Sequence, residues 1–391
     1  MTYDDAVKYY TASPKFLQVL GNDSLLKLLD FLENPQDKLS FIHIAGTNGK
    51  GSVSLMIAET LSLTGKKIGL FTSPYISRFN ERIKINGEDI SDADLIRLTE
   101  KLQNAVNLTN VELSSFAKIT ALAFMYFNEQ ECDLVVLETG LGGRLDATNV
   151  IKCPIISVIT KIALDHTEYL GDTISKIASE KCGIIKQGCP VLTLKSQDDE
   201  ALSVIADFAK KCGSKLLFSK DKCEFELGLK GNFQKENAAL AEACLRFLEI
   251  PENIIKNGFK KSCWPARFEF LSDNLLIDGA HNPDGISALL TSLKPLSRPV
   301  HFVIAMMQDK NFEKSAELIE SFGGKITVTQ ISNPRCIKAE DLAKCFKCAL
   351  VEPDAKKAVY YALDNVENGE LVCVLGSLYL AGEIRKEFTN A

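Results

Sequence analysis

The residues with chemistry to offer are a lysine set among glycines, two histidines and a few carboxylates at the ends of apolar runs. Gly46-Thr47-Asn48-Gly49-Lys50-Gly51-Ser52 follows the apolar run FIHIA and precedes a helical pattern that closes at Gly65. Backbone N–H groups in such a loop can point at phosphate oxygens, and the start of the next helix adds positive potential. Glycine lets the backbone approach the anion, and Lys50 would sit against the outer phosphates of a nucleotide. The strict pattern G-x-x-x-x-G-K-[ST] is not met, because position 44 is Ile44 and Gly51 follows the lysine. Strand and helix flanks still favour nucleotide binding over a lysine in an ordinary glycine-rich turn.

Glu138 ends the apolar run LVVLE, and His166 ends another in ALDHT beside Asp165. Charged groups at the C-terminal ends of parallel strands face the ligand crevice of open α/β sheets. Such a carboxylate suits a magnesium ion or a solvated strand end equally. A lone histidine is more often structural, but two such residues beside a phosphate loop are consistent with a metal–nucleotide site. Lys181, in ISKIASEKCGIIK, reads from pattern alone as a helix-surface lysine. Asp278 and His281, in DGAHNPDG, again lie just beyond an apolar run. Asp278 could accept from ribose hydroxyls or a base amine; a capped turn before a helix fits the same residues.

The elements that must position these residues alternate. FIHIA, the phosphate loop, a helix and KKIGLFTSP form one βαβ unit. Helical periodicity over 113–131 leads to the strand CDLVVLETG, then come the strand PIISVITKI, a helix through DTISKIASEKCGII and the strand CPVLTL. Continuous apolar strands between helices predict a parallel sheet covered on both faces. The pattern breaks near Pro251, Trp264 and Pro265, and a second αβ series follows through NLLIDGAHNP, PVHFVIAMM, KITVTQI and ELVCVLGSL. A hinge near 262–270 therefore divides a larger domain, 1–265, from a smaller one, 266–391.

At 391 residues the chain is long for one hydrophobic core. Its net charge of -6 argues against non-specific nucleic-acid binding. The first residues, MTYDDAVKYY, lack the apolar core of a signal peptide, and no apolar run is long enough to span a membrane. Twelve cysteines scattered through the chain suit free thiols in the cytoplasm. The Cys345/Cys348 pair lacks the second pair or the histidines that a zinc site needs, so it reads as ordinary packing.

GTNGKGS, FTSPYISRFNERI, LETGLGGRLDATNV, ALDHTEYLG, SEKCGIIK, WPARFE, IDGAHNPDG and GSLYLAGEIR run in the order seen in dihydrofolate synthase/folylpolyglutamate synthases. The sequence resembles that branch of the Mur ligase superfamily over essentially its whole length. The resemblance implies an N-terminal P-loop ATPase domain and a C-terminal Rossmann-like domain, both α/β, with ATP at their interface. It implies that Thr47, Asn48, Gly49, Lys50, Gly51 and Ser52 bind phosphate, and that Asn237, Arg267, Asp278 and His281 contact the nucleotide. Ser73, Glu138 and His166 match magnesium ligands, and Lys181 matches a lysine that is carbamylated in the family. Leu145, Asp146 and Ala147 match part of the pterin-binding region, with Phe116 beside it. The family often has Phe-Glu where this chain has Phe116-Ala117, which bears on the folate contacts there, and Cys182 stands where alanine is common.

The implied substrates are ATP, L-glutamate and dihydropteroate or a folate. Mg2+ is the implied cofactor, with a monovalent cation as a further candidate, and the implied state is a monomer. A carboxylate is a poor acyl donor. Phosphoryl transfer from ATP would convert it to an acyl phosphate that the glutamate amine attacks, with domain closure excluding water. A cell-wall muramyl-peptide ligase is a rival; with GTNGKGS beginning at residue 46, an extra N-terminal UDP-binding domain is not expected. A nucleotide-binding module without catalysis is a second rival. Such drift erodes metal ligands or the phosphate lysine, whereas Lys50, Ser73, Glu138, His166 and Lys181 are all present.

Overall fold

The structure, a computed structural model, describes residues 1–11, 21–367 and 369–389. Two compact units emerge. The first comprises Met1–Ile162, Leu170–Glu226 and Glu236–Ser262, and the second Ala163–Tyr169, Leu227–Lys235 and Cys263–Ala391. Two short stretches, one carrying Asp165 and His166, thus belong to the second unit although they lie within the first unit's sequence.

The first unit is built on an eight-stranded sheet. Its strands are β1 (Phe41–Ala45), β2 (Ile68–Phe71), β3 (Ile83–Ile85), β4 (Glu88–Asp89), β5 (Leu134–Glu138), β6 (Ile156–Ile159), β7 (Val191–Thr193) and β8 (Leu216–Phe218). Their order is β4-β3-β2-β5-β1-β6-β7-β8, parallel from β2 to β8. Every residue of β1, β2, β5, β6 and β7 is buried, as expected of strands with helices over both faces. One apolar cluster gathers Phe41, Phe71, Phe124 and Phe127 with the helices Asp92–Thr109 and Ser115–Glu129. A second packs Ile159, Ile177, Cys182 and Ile205.

β3 and β4 form an antiparallel extension that the sequence reading did not single out. Their turn is Asn86-Gly87, with φ of 49° and 86°. Positive φ at both central residues defines the type I′ hairpin that Asn-Gly favours, so a sequence signal was present.

The second unit has six strands: β9 (Glu269–Ser272), β10 (Leu275–Ile277), β11 (Val300–Ile304), β12 (Lys325–Gln330), β13 (Leu350–Asp354) and β14 (Leu371–Leu375). The order is β13-β12-β11-β14-β10-β9, and only the β9–β10 pairing is antiparallel. β11 and β14 are wholly buried, while the edge strand β13 is mostly exposed and escaped the sequence reading. No helix among the described residues is long and apolar enough to cross a membrane.

Candidate active site

Parallel register brings four strand ends of the first unit side by side. Ile44 of β1 pairs with Glu138 of β5 and with Val158 of β6, and Phe71 of β2 pairs with Leu137. The loops that leave these ends carry Gly46–Lys50, Ser73, Gly140 and Thr160–Lys161. This is the edge at which open α/β sheets bind ligands.

The phosphate loop is held from beneath. Thr47 N and Asn48 N donate to Lys161 O at 2.8 and 3.2 Å, and Thr160 Oγ1 donates to Asn48 O at 2.8 Å. Gly49 caps the helix Lys50–Ser62 with φ of 87°, and a Cβ there would lie 2.2 Å from Asn237 Oδ1. Only glycine meets both demands, backbone conformation and space. Asn237, expected to contact nucleotide, is therefore packed against the loop. Lys50 Nζ curls back to donate to Gly46 O at 3.0 Å and Thr47 O at 3.2 Å. Gly51 and Ser52 lie in the first turn of the same helix, with Ser52 buried.

Glu138 is buried at the end of β5, and its Oε2 accepts from Ser73 N at 3.2 Å. Two of the three expected magnesium ligands are thus neighbours. Lys181 is buried, not on the helix surface that its pattern suggested, and its Nζ donates to Gly46 O at 2.8 Å. The helix Ile174–Cys182 turns it inward because Ile177, Ala178 and Cys182 on the same helix fill the core. Lys50 and Lys181 therefore share one acceptor, the Gly46 carbonyl.

The LETGLGGRLDATNV segment wraps around Asp146. Its Oδ2 accepts from Gly140 N and Leu141 N, both at 2.9 Å, and its Oδ1 accepts from Thr148 N at 3.0 Å and Thr148 Oγ1 at 2.5 Å. Those bonds occupy the roughly four acceptor sites of a carboxylate. Burial raises the Asp146 carboxyl, and the hydrogen bonds from Thr148, Leu141 and Gly140 oppose that rise. Ala147 is buried beside it, whereas Leu145 is exposed. Phe116 packs against Phe71 with ring centroids 5.8 Å apart. Ala117 is buried in the core, so the carboxylate common at this position in the family would have to enter apolar packing here.

His43, absent from the expected site, extends this network. Its Nε2 lies 2.8 Å from Thr148 Oγ1, and the Thr148 hydroxyl donates onward to Asp146. Hydrogen-bond logic therefore puts the His43 proton on Nε2. Burial drives this histidine's pKa from 6.5 down to about 3, with Lys186 adding to the shift.

In the second unit Asp165 is the hub. Asn282 Nδ2 and Lys310 Nζ donate to it at 3.0 and 2.8 Å, and His281 Nε2 lies 3.7 Å away. Burial alone would raise the Asp165 carboxyl; the nearby His281 ring and the Lys310 cation outweigh it and hold the group well below the usual range. His166 has φ of 50°, and its Nε2 is 3.1 Å from Lys310 Nζ. Burial lowers His166 to about 4 against the pull of Asp165, with Lys310 assisting, so the ring is neutral near pH 7. Asp278 is buried and accepts from Phe268 N at 2.8 Å and Ala280 N at 2.7 Å. Its carboxyl is raised by burial, against the effect of Arg267. Ala266 and Phe268, on either side of Arg267, have φ of 54° and 49°. Left-handed backbone at such residues is costly, and the Asp278 bond to Phe268 N helps to hold it. Lys310 and Asn282 were not picked out from the sequence, because nothing local marks a residue that acts across elements.

Known proteins place this arrangement. The Mur ligase middle domain matches residues 44–222, and the Mur ligase glutamate ligase domain matches residues 266–378. The folylpolyglutamate synthase of Lacticaseibacillus casei is 36% identical, covering 99% of this chain and 98% of its own. The dihydrofolate synthase/folylpolyglutamate synthase of Bacillus subtilis is 33% identical, covering 98% of each. The structure of Escherichia coli FolC in complex with DHPP and ADP superposes with a TM-score of 0.91 at 27% identity, covering 100% of this chain and 98% of that one. The chain belongs to the folylpolyglutamate/dihydrofolate synthase family of Mur ligases. It is an ATP-dependent acid–amino-acid ligase that joins glutamate to a folate-type acid.

The ligase's buried His43 has a measurable signature. Below pH 6.5 the unfolded chain protonates this histidine and the folded chain does not until about pH 3. The unfolded state then binds more protons, so stability falls as pH drops through that window. His43 should contribute a slope of about 1.4 kcal/mol per pH unit between roughly pH 6 and 4. His43→Gln retains an N–H for Thr148 but does not titrate. Urea unfolding at several pH values should show the slope reduced by that amount, and an unchanged slope would refute a neutral buried His43.

Proposed function

We propose that the phosphate loop, Glu138 and Lys181 activate the carboxylate of dihydropteroate or a folyl-glutamate as an acyl phosphate. The observation that carries this reading is the Gly49-capped helix start, with Lys50 and Lys181 both on the Gly46 carbonyl and Glu138 on the adjoining strand. Backbone N–H groups at that helix start receive the β- and γ-phosphates of ATP. Lys50 leaves the Gly46 and Thr47 carbonyls and follows the negative charge that spreads over the transferring group. The glutamate amine attacks the activated acyl carbon, and the tetrahedral intermediate collapses to amide and phosphate. Leu145 offers an exposed apolar side chain to the pterin, in a loop whose shape Asp146 sets. Arg267, Asp278 and His281 are proposed as further nucleotide contacts. The bound ADP of the E. coli protein and the folate-directed names of the relatives support this reading.

Magnesium suits the first unit's donors. Ser73 and Glu138 offer hard oxygen ligands, and this ion commonly takes one or two carboxylates with phosphate and water. His166, neutral as a metal ligand must be, is the family's further candidate. When bound, the ion would neutralise phosphate charge.

For Lys181 we propose a carbamate, formed from the amine and carbon dioxide with loss of a proton. It exchanges a cation for an anion beside the loop. Lys181→Ala should cut turnover, and millimolar acetate should restore part of it by supplying the missing carboxylate. Absence of rescue would count against the carbamate while leaving the ligase reading intact.

The decisive assay couples ADP release to substrate identity. Dihydropteroate and tetrahydrofolate are compared as acceptors, with and without L-glutamate. Glutamate-dependent ADP formation with at least one of them is expected. No turnover with either would overturn the substrate assignment.

A further inference from the structure

We propose that Cys153 and Cys189 form a covalent modification site, a dithiol that low-molecular-weight disulfides oxidise to an internal disulfide. Their sulfurs are 3.0 Å apart, in hydrogen-bond contact, with Cys153 exposed and Cys189 buried. The two enter the fold alike. Each is followed by a proline, Pro154 or Pro190, and then by a strand, β6 or β7. A following proline confines a residue to extended backbone and fixes its own φ, so both Cα positions are held before the strands begin. β6 and β7 pair in parallel, and Ser157 N donates to Pro190 O at 2.9 Å, which locks one entry against the other. Closing the remaining gap to a covalent S–S bond requires side-chain movement of about 1 Å, without strand rearrangement.

The chemistry balances as two exchanges. The Cys153 thiolate attacks one sulfur of the external disulfide, forms a mixed disulfide and expels one thiolate, which takes up the proton that Cys153 released. The Cys189 thiolate then attacks Cys153 Sγ, expels the second thiolate and leaves the internal bond. Two protein thiols are oxidised, and one external disulfide is reduced to two thiols. The order follows access. Cys153 meets solvent, whereas the Cys189 thiol is pushed up to about 11, first by burial and then by its hydrogen bond with Cys153.

The bond would tie the N-terminal ends of β6 and β7. Lys50, Glu138, Thr160 and Lys161 lie at or beyond the opposite, C-terminal strand ends. Oxidation should therefore change resistance to unfolding more than turnover. The closed loop spans residues 153–189, and its closure restricts the unfolded chain.

The test uses the full chain with glutathione disulfide as probe, followed by alkylation and peptide mapping without reductant. The expected result is one peptide cross-link between Cys153 and Cys189. Tm should rise by about 5 °C and return with reductant. Turnover should change less than about twofold, well below the loss expected from removing a group at the phosphate site. Cys189→Ala should leave glutathione on Cys153 as a mixed disulfide, and Cys153→Ser should give no cross-link. The proposal is overturned if both thiols stay alkylatable in the wild type. It is equally overturned if the wild type keeps a stable glutathione adduct like that of Cys189→Ala, or if the cross-link joins other cysteines of the twelve.

Discussion

Lys50→Ala should lower ligase turnover by at least about 10²-fold while the protein remains folded. Among its contacts, the side chain donates to Gly46 O and Thr47 O of the loop that it would leave. Its removal costs those bonds in the resting enzyme, but on the proposed mechanism it would also deprive the transition state of a cation beside the phosphate oxygens. That asymmetry separates turnover from stability. Glu138→Ala should give a loss of the same order, because it removes the carboxylate from the Ser73 pair, and it should also raise the magnesium concentration needed for half-maximal rate. Steady-state rates at saturating ATP, together with Tm, decide the matter. Near-normal turnover in either variant would mean that the phosphate site has been misplaced.

Asp146→Ala should have the largest effect on the fold. Its four acceptor bonds hold Gly140, Leu141 and Thr148 in one turn, all on a carboxylate that is buried. Alanine strands those N–H groups where water reaches them poorly. Each unsatisfied buried donor costs about 1–3 kcal/mol, so a loss of roughly 3–5 kcal/mol is expected after partial relaxation. Tm should fall by about 10 °C or more. Thr148→Val removes only one donor and the His43 link, so its effect should be smaller, with Thr148→Ser recovering most of it. An Asp146→Ala variant with unchanged Tm but a raised KM for the pterin substrate would show that the carboxylate serves the ligand rather than the loop.

The sequence alone determined the αβ alternation, and it marked the glycine-rich loop and most of the residues proposed here for the chemistry. Those signals are local: a glycine-rich turn between an apolar run and a helical period, and a charged residue at the end of a buried strand. Chain order also sufficed for the family, because its motifs recur along the whole chain. Tertiary structure decided the rest. Helical periodicity placed Lys181 on a surface, but the face it shares with Ile177 and Cys182 is buried, and its amine meets the phosphate loop. His43 looked like one more strand residue until Thr148 and Asp146, over a hundred positions away, closed a hydrogen-bonded chain on it. Locally Asp165 accepts from the neighbouring His166 N, and the cation that balances its buried charge, Lys310, comes with Asn282 from distant elements. Burial and long-range hydrogen bonds depend on which elements pack together, and strand order is not written in any local period of the chain.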